Sequence, residues 1–301
     1  MPAPSRRPDS QGDRPLGPVE LSTSVRLSLR RGDRKYCTFT YHGFRGDLSI
    51  SIITSPETAA EATTLLEEHN PQWTGHKGAG DVTVGGELIM DEWAVLVGML
   101  NAPPGIDRSH LKILDAFAFE RLGDQQRKRV SEMATAPDRD MINGIFHTNS
   151  FGITLADEAN HRALFPEIAR INHDCRPSCH VRYSRHELRM EVFAYRDIKA
   201  GEELSVAYTP LNLPTKARQE AIQGWGFNCT CSLCTEPELS ETSDRNRQRI
   251  QDLVRDMAKV ENRNRDAMRV ITDQLVALME TEELTAMMGT CTACSPWRIP
   301  S

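Results

Sequence analysis

The stretch CTCSLC at residues 229–234 places three cysteines within six residues and constrains the fold more than any other feature of the sequence. The C-x-C-x-x-C spacing lets three thiolates converge on one cation, because the short spacers turn tightly. A structural zinc site is tetrahedral and takes four ligands, so a fourth ligand must come from elsewhere in the chain. Cys175 is our choice because it lies beside His173 in a polar turn, and Cys179 is the competing choice. The sequence therefore predicts a fold that brings residue 175 against residues 229–234.

The composition is that of an ordinary globular protein. Of 301 residues, 39% are hydrophobic and 26% are charged, and the formal net charge of −6 argues against an extended basic surface for nucleic acid. The longest apolar run, WAVLVGML at 93–100, is too short to span a bilayer. The N-terminal stretch MPAPSRRPDSQGDRPLGP lacks the apolar core of a signal peptide and is predicted to be disordered. We therefore expect an intracellular protein, cytoplasmic or nuclear, that contacts neither a membrane nor nucleic acid directly.

The expected compartment also bears on the cysteines. Clustered thiols in a reducing environment favour a metal over a disulfide framework. Cys37, and Cys179 if it is not a ligand, are expected to be small buried hydrophobic residues. Cys291 and Cys294 form a C-x-x-C pair without a second pair nearby, and we assign them no role.

Short β-prone runs precede and follow stretches of helical periodicity. The predicted strands are VRLSLRR at 25–31, KYCTFTY at 35–41, LSISIIT at 48–54, one or two strands in 87–100, a strand and turn in NGIFHTNSFGITL at 143–155, and a series of short strands in 179–211. The predicted helices begin at Ser55-Pro56 and end at Asn70-Pro71, span 108–135 and 215–223, and recur beyond 240 with a break near residues 262–264. The glycine-rich stretch at 73–86 is predicted to be a loop with a short hairpin.

Three motifs carry a resemblance to a known family, the SET-domain protein methyltransferases. INHDCRP at 171–177 resembles the family's N-H-S-C-x-P-N motif, AGEELSVAY at 200–208 its G-E-E-L-x-x-x-Y motif, and GWGFNCTCSLC at 224–234 its post-SET segment. Upstream, HKGAG with GGELIMDEWAVLV resembles the family's first motif, and NSF at 149–151 is similar to SET-and-MYND enzymes. The stretch FRGDLSISIITSPETAA resembles a segment of many fungal SET proteins, and the resemblance covers roughly residues 40–236. A MYND zinc finger is not expected, because Cys37 is the only cysteine before residue 175.

The resemblance implies a fold and a domain order. The fold would be of the α+β class, a set of small curved β-sheets with a C-terminal pseudoknot. The implied order, with the expected tail, is a disordered tail at 1–24, a SET domain at 25–214 with a helical insert at about 100–140, a post-SET zinc segment at 215–236, and a helical region at 237–301.

The resemblance also implies a set of site residues. Residues that would bind S-adenosylmethionine are Lys77, Gly78, Ala79, Gly80, Asn149, Asn172 and His173, with Phe227 and Trp225 packing on the adenine. Tyr208 would be the catalytic tyrosine, and the zinc ligands would be Cys175, Cys229, Cys231 and Cys234. The implied reaction is methyl transfer from S-adenosylmethionine to a lysine of a protein or peptide.

The chain departs from the family pattern at two places. Only residues 81–85 separate Gly80 from the next motif, where the family has a longer β-hairpin beside the cofactor, and Ser178 replaces the last asparagine of the N-H-S-C-x-P-N motif. The shortened hairpin predicts weak cofactor binding. It also keeps two alternatives open: a SET-fold enzyme repurposed for a small metabolite, and a non-enzymatic module that binds a lysine-containing peptide. Outside their motifs, Tyr208 and His173 would more simply be core residues.

Overall fold

The structure is a computed structural model of the chain. It describes residues 29–31, 34–44, 48–60, 62, 85–102, 107–155, 160–185, 187–260 and 264–284. The tail predicted at 1–24, the turn Lys77–Gly80, residues 81–84 and the pair Cys291 and Cys294 lie outside these ranges.

The described strands form three separate sheets. They are β1 (Leu29–Arg31), β2 (Arg34–Phe44), β3 (Leu48–Thr54), β4 (Leu88–Trp93), β5 (Leu96–Met99), β6 (Phe151–Thr154), β7 (Asn160–Leu164), β8 (Asn172–His173), β9 (Cys179–Ser184), β10 (Arg189–Ala194) and β11 (Ser205–Val206). Within the described ranges, a six-stranded sheet has the order β1-β2-β3-β5-β7-β6, a three-stranded sheet the order β4-β10-β9, and β8 pairs with β11. The stretch at 87–100 is two strands, one in each of the larger sheets.

The helices lie in an insert and in the C-terminal third of the chain. They are α1 (Arg108–Glu120), α2 (Asp124–Ser131), α3 (Met141–Asn149), α4 (Thr215–Ile222), α5 (Ser232–Thr235), α6 (Pro237–Met257) and α7 (Arg265–Thr281). Residues 56–60 and 62 are also helical, and 3-10 turns cover Ile168–Arg170 and Gln223–Trp225. No described helix is both long enough and apolar enough to cross a membrane.

Strands β3, β5 and β7 of the six-stranded sheet carry buried side chains on both faces, since successive side chains along a strand point to opposite faces. On one face, Ile52, Val97 and Ala163 pack against the three-stranded sheet through residues such as Met190 and Val192. On the other face lie the helices of the insert, and the residues that meet there include Ile53, Leu96, Leu164, Leu114, Phe119 and Phe146. The small sheets and helices confirm the predicted α+β class.

The C-terminal helices, which the sequence predicted beyond residue 240, pack on each other through one apolar stripe on each helix. Ile250, Leu253 and Met257 of α6 are buried against Leu275 and Met279 of α7. The break between the two helices is confirmed as well. The Asn264 side chain accepts a hydrogen bond from the N–H of Ala267 at 3.1 Å, which caps the start of α7.

The prediction of a strand and turn at 143–155 is wrong in its first half. Residues 141–149 form helix α3, and the strand begins only at Phe151. Asp140 caps this helix by accepting a hydrogen bond from the N–H of Asn143 at 3.1 Å. Ile142, Ile145 and Phe146 follow the spacing of one helix face and are buried in the core, so tertiary packing decides the structure here.

Candidate active site and metal centre

Two distant motifs of the sequence meet at the short parallel pair of β8 and β11. Asn172 lies opposite Ser205, and His173 lies opposite Val206. The N–H of Asp174 donates to the carbonyl of Val206 at 3.1 Å and extends the pairing. The pairing brings INHDC beside EELSVAY, which is the arrangement that the implied pseudoknot requires.

His173 lies between a cleft and a group of thiols. Its Nδ1 accepts a hydrogen bond from the backbone N–H of Tyr208 at 3.0 Å, so the neutral ring carries its proton on Nε2. Nε2 lies 3.4 Å from the Sγ of Cys175 and donates toward it. Burial lowers the pKa of His173, which keeps the ring neutral near pH 7. The ring is therefore held in one orientation from both sides.

Tyr208 follows β11 and turns its hydroxyl back toward the chain before β8. The hydroxyl donates to the carbonyl of Ile171 at 2.8 Å. Burial raises the pKa of Tyr208, so the hydroxyl stays protonated at neutral pH. Since its hydrogen is used by Ile171, the oxygen offers its lone pairs to a donor that enters the cleft.

An aromatic cluster surrounds this tyrosine. The ring centroids of Tyr208 and Trp225 are 5.5 Å apart, and those of His173 and Phe227 are 6.4 Å apart. Between Trp225 and Phe227, Gly226 has φ of +81°, a left-handed conformation that favours glycine. Trp225 and Phe227 remain 37% and 40% exposed, respectively. Large rings left at a surface are suited to cover an apolar or aromatic ligand.

A cleft of about 420 Å³ opens in front of these rings, within the usual size of a small-molecule site. Its described lining consists of Arg129, Glu132, Met133, Ala134, Thr148, Asn149, Pro166, Glu167, Ala169, Arg170, Asn172, Tyr208, Trp225 and Phe227. Five of the residues implied by the resemblance therefore line one cleft: Asn149, Asn172, Tyr208, Trp225 and Phe227. The structure does not describe Lys77, Gly78, Ala79 and Gly80, so their place relative to the cleft stays a prediction.

The two asparagines of the cleft are held by polar contacts. The Asn149 amide donates to the carbonyls of Ala134 at 2.6 Å and Ile145 at 2.8 Å, which leaves its oxygen as the free acceptor. The Asn172 amide donates to Glu203 at 2.7 Å. The sequence did not predict the charged residues of the lining, which include Arg129 and Glu132. A charged helix normally indicates a face exposed to solvent.

The four thiols proposed as zinc ligands come together at the opposite side of His173. The sulfurs of Cys175, Cys229, Cys231 and Cys234 all lie within 4.8 Å of one another. The Sγ of Cys175 is 3.8 Å from that of Cys229 and 3.6 Å from that of Cys234. A tetrahedron with Zn–S bonds of about 2.3 Å has sulfurs about 3.8 Å apart, so the spacing fits zinc. Cys179 lies in the main core, which leaves Cys175 as the fourth member.

The surroundings of the thiols suit a negatively charged metal–thiolate group. The buried Arg218 side chain lies beside the cluster, where its positive charge interacts with Cys175 and Cys234. Gln219 of α4 accepts from the N–H of Cys229 at 3.1 Å and donates to its carbonyl at 2.9 Å. Such outer hydrogen bonds orient the ligands of a metal.

The C-terminal helices reach the same loop through one buried arginine. Arg247 of α6 is fully buried and donates to the carbonyl of Cys175 at 3.0 Å. Its guanidinium also donates to the carbonyl of Leu211 and to Glu282. Glu282 in turn lies 3.7 Å from Arg176, the residue after Cys175. The helical region therefore fixes the backbone that carries the first of the four thiols.

Comparison with known proteins finds a family match for the middle of the chain. The family model described as SET domain matches residues 52–209, just over half of the chain. Human N-lysine methyltransferase SMYD2 is 36% identical over 104 residues, which cover 33% of this chain and 24% of that protein. Histone-lysine N-methyltransferase set5 of Schizosaccharomyces pombe is 33% identical over 120 residues, covering 39% and 36%. Human histone-lysine N-methyltransferase SMYD1 is 33% identical over 109 residues, covering 31% and 22%. The chain thus spans about a quarter of the two human relatives and about a third of set5.

Proposed function

Because the chain belongs to the SET-domain family, we propose that it transfers a methyl group from S-adenosylmethionine to a lysine of a protein or peptide. The observation that carries this proposal is the Tyr208 hydroxyl, whose hydrogen is donated to Ile171 beside a cleft lined by Asn172 and Phe227. The names of the relatives, which are lysine methyltransferases, support the same reaction and substrate class.

The residues of the cleft have distinct tasks in this reaction. S-adenosylmethionine supplies an electrophilic methyl group on a sulfonium. Asn172 and the oxygen of Asn149 would hold its polar groups, while Trp225 and Phe227 would cover its aromatic ring and exclude water. His173 is absent from the described lining and both of its ring nitrogens are engaged, so its side chain would hold Tyr208 in place behind the cofactor. The lysine must lose its proton first, although its ordinary pKa is about 10.4. The apolar rings and the nearby positive charge both lower that pKa, and the Tyr208 oxygen accepts from the amine and orients it.

The four clustered thiols would hold a structural zinc ion. Cys175, Cys229, Cys231 and Cys234 supply four sulfurs and leave no open position, as is usual where zinc supports a fold rather than a reaction. Since thiolates must stay reduced to bind zinc, we propose a reducing intracellular compartment, the cytoplasm or the nucleus. Direct binding to nucleic acid is not part of the proposal, given the net charge of −6.

The two alternatives, a metabolite enzyme and a non-enzymatic peptide-binding module, rest on the shortened hairpin at residues 81–85. Residues 81–84 lie outside the described ranges, and no observation in the cleft favours either alternative. Cofactor binding therefore decides between them and the methyltransferase.

We expect the zinc-loaded protein to bind S-adenosylmethionine measurably but weakly. A longer hairpin would offer the cofactor further hydrogen bonds, each worth about 0.5–1.5 kcal/mol, so the absence of two or three weakens binding by one to two orders of magnitude. Isothermal titration calorimetry measures the dissociation constant for S-adenosylmethionine. The value for this protein is compared with the values for SET enzymes that have a full hairpin. If millimolar cofactor gives no heat while the zinc is in place, the methyltransferase proposal is wrong and metabolites become the ligands to test.

Replacing Tyr208 by Phe should lower turnover about 10²–10³-fold, because one preorganised polar group at a transition state is typically worth that much. The melting temperature should fall only slightly, since the substitution removes a single hydrogen bond to Ile171. Methylation of a lysine peptide mixture is measured by mass spectrometry. Tyr195→Phe is the matched control, because Tyr195 lies outside the described lining of the cleft. If Tyr208→Phe keeps the turnover of wild type, Tyr208 is a core residue that takes no part in the reaction.

A further inference from the structure

Glu92 is a buried carboxylate behind the cofactor cleft, near the end of β4. One of its oxygens lies 2.6 Å from the guanidinium of Arg129 on α2. The other accepts from the backbone N–H groups of Glu167 at 2.9 Å and Ile168 at 3.0 Å. These N–H groups lie at the start of the 3-10 turn Ile168–Arg170, so the carboxylate joins α2 to that turn.

Both elements joined by Glu92 line the cleft. Arg129 comes from α2, Glu167 directly precedes the turn and Arg170 ends it, and Glu167 lies 3.3 Å from Arg129. Asn172 follows the turn by two residues and begins the motif that meets β11. The position of Asn172 therefore depends on a turn that Glu92 holds from behind.

The hydrogen bonds of Glu92 require both of its oxygens as acceptors. One oxygen faces a cation, and the other faces two N–H donors, so no hydrogen-bond partner remains for a carboxyl hydrogen. An amide in the same place would turn its own N–H donors toward Arg129. The geometry is therefore specific for the charged form of the side chain.

We propose that the charged Glu92 side chain, through Arg129 and the turn Ile168–Arg170, is a positioning residue that sets the affinity of the cleft for its cofactor. This rests on the proposed function, in which S-adenosylmethionine is the occupant of the cleft. Glu92 is absent from the described lining of the cleft, so it acts through the turn and does not touch the ligand itself.

The charge of Glu92 changes near neutral pH. Burial raises the pKa of Glu92 to about 7, against the opposing effects of the N–H of Ile168 and the charge of Arg129. Among the described residues, Arg129 and Glu167 are the charged groups that face it, and across the sheet it is paired with the apolar Met190. At pH 6 about a tenth of the molecules keep the charged form, so apparent cofactor affinity should fall about tenfold from its value at pH 8.

Stability should change with pH in the opposite direction. The pKa of Glu92 in the folded protein, about 7, lies above its ordinary value of 4.5, so the folded state binds the extra proton. The contribution of this group to stability is therefore present at low pH and is lost as the pH rises from about 4.5 to 7. If Glu92 had a purely structural role, cofactor affinity and stability would change with pH in the same direction. In the proposed role they change in opposite directions.

The test is a cofactor titration by calorimetry at pH 6, 7 and 8 on the zinc-loaded full chain. Wild type should bind about tenfold more tightly at pH 8 than at pH 6. Glu92→Gln should bind with the pH 6 affinity of wild type at every pH, while its stability relative to wild type improves between pH 5 and pH 8. Amide exchange at Glu167 and Ile168 should be faster in Glu92→Gln than in wild type at pH 8, without cofactor.

Asp115→Asn is the matched control. Asp115 is also buried, is paired with Arg162, and has a pKa raised by burial to about 6, but it belongs to the core between the insert and the sheet. The Asp115→Asn variant should have an altered stability, whereas its cofactor affinity and the pH dependence of that affinity should match wild type. If Glu92→Gln keeps the affinity and pH profile of wild type, the inference about Glu92 is wrong, while the proposed function stands. If wild type binds no cofactor at any pH, the proposed function itself fails.

Discussion

Removing zinc from the purified protein should unfold residues 229–234 and the helices that pack on them. Binding of zinc to four thiolates contributes roughly 10–16 kcal/mol in small peptides, which matches or exceeds the whole stability of a typical domain. Three of the four thiols belong to a segment with very few apolar side chains of its own, in which Leu233 is the buried one. Without the metal, little else holds residues 229–234 against Cys175.

The expected result has three parts. Elemental analysis of freshly purified protein should find a single zinc ion per chain, as a closed four-cysteine site requires. A strong chelator should lower the helical circular dichroism signal and the melting temperature together. Cofactor binding should disappear as well, because His173 is no longer held on the side where it donates toward the Cys175 sulfur.

A pair of variants separates a metal ligand from a buried cysteine. Cys175→Ala should release the zinc, whereas Cys179→Ala should keep it, since Cys179 packs in the main core beside Ser178. Both remove one buried thiol, so the volume change is the same. Zinc retained by Cys175→Ala, or absent from the wild-type protein, would contradict the proposed ligand set.

The sequence predicted the parts of the site that sit in short motifs. CTCSLC and INHDC lie far apart in the chain, and the choice of Cys175 over Cys179 agrees with the sulfur positions, because the parallel pair of β8 and β11 brings Cys175 to the cluster. The family match confirms the resemblance to SET-domain proteins, while a fungal origin and the lack of a MYND finger stay predictions.

Other parts of the site depend on interactions that no local pattern reveals. Glu92 lies beside Asp91 in strand β4, so the local sequence does not mark it as a buried group, and its partners Arg129 and Ile168 come from elements much later in the chain. The β-branched and aromatic residues of helix α3 favour a strand, and only the cap by Asp140 and the core packing of Phe146 decide otherwise. Long-range packing and burial are therefore what the sequence alone could not supply.

Replacing Arg247 by Met should destabilise the protein by about 3–5 kcal/mol, because it removes the nearer cation from the buried Glu282 and leaves only Arg176, at 3.7 Å. Both side chains are almost fully inaccessible to solvent, and Arg247 also donates to the carbonyls of Cys175 and Leu211. Although burial opposes it, hydrogen bonds from Ser243 and Asn246 and the charge of Arg247 lower the pKa of Glu282. The stabilisation by this carboxylate is therefore present above its ordinary pKa of 4.5 and is lost as the pH falls below it.

Urea denaturation at pH 7.5 measures this effect against two further variants. Arg249→Met is the matched control, because Arg249 lies on the same helix with an exposed side chain that donates to Gln274, and it should change stability by less than about 1 kcal/mol. Arg247→Met combined with Glu282→Gln should recover part of the stability, since no buried charge then remains unpaired. A double variant no more stable than Arg247→Met would show that the hydrogen bonds to the carbonyls, and not the ion pair, hold α6 to the loop that carries Cys175. The same comparison measures how far the C-terminal helices support the metal centre, because zinc content should follow the hydrogen bond between Arg247 and the Cys175 carbonyl.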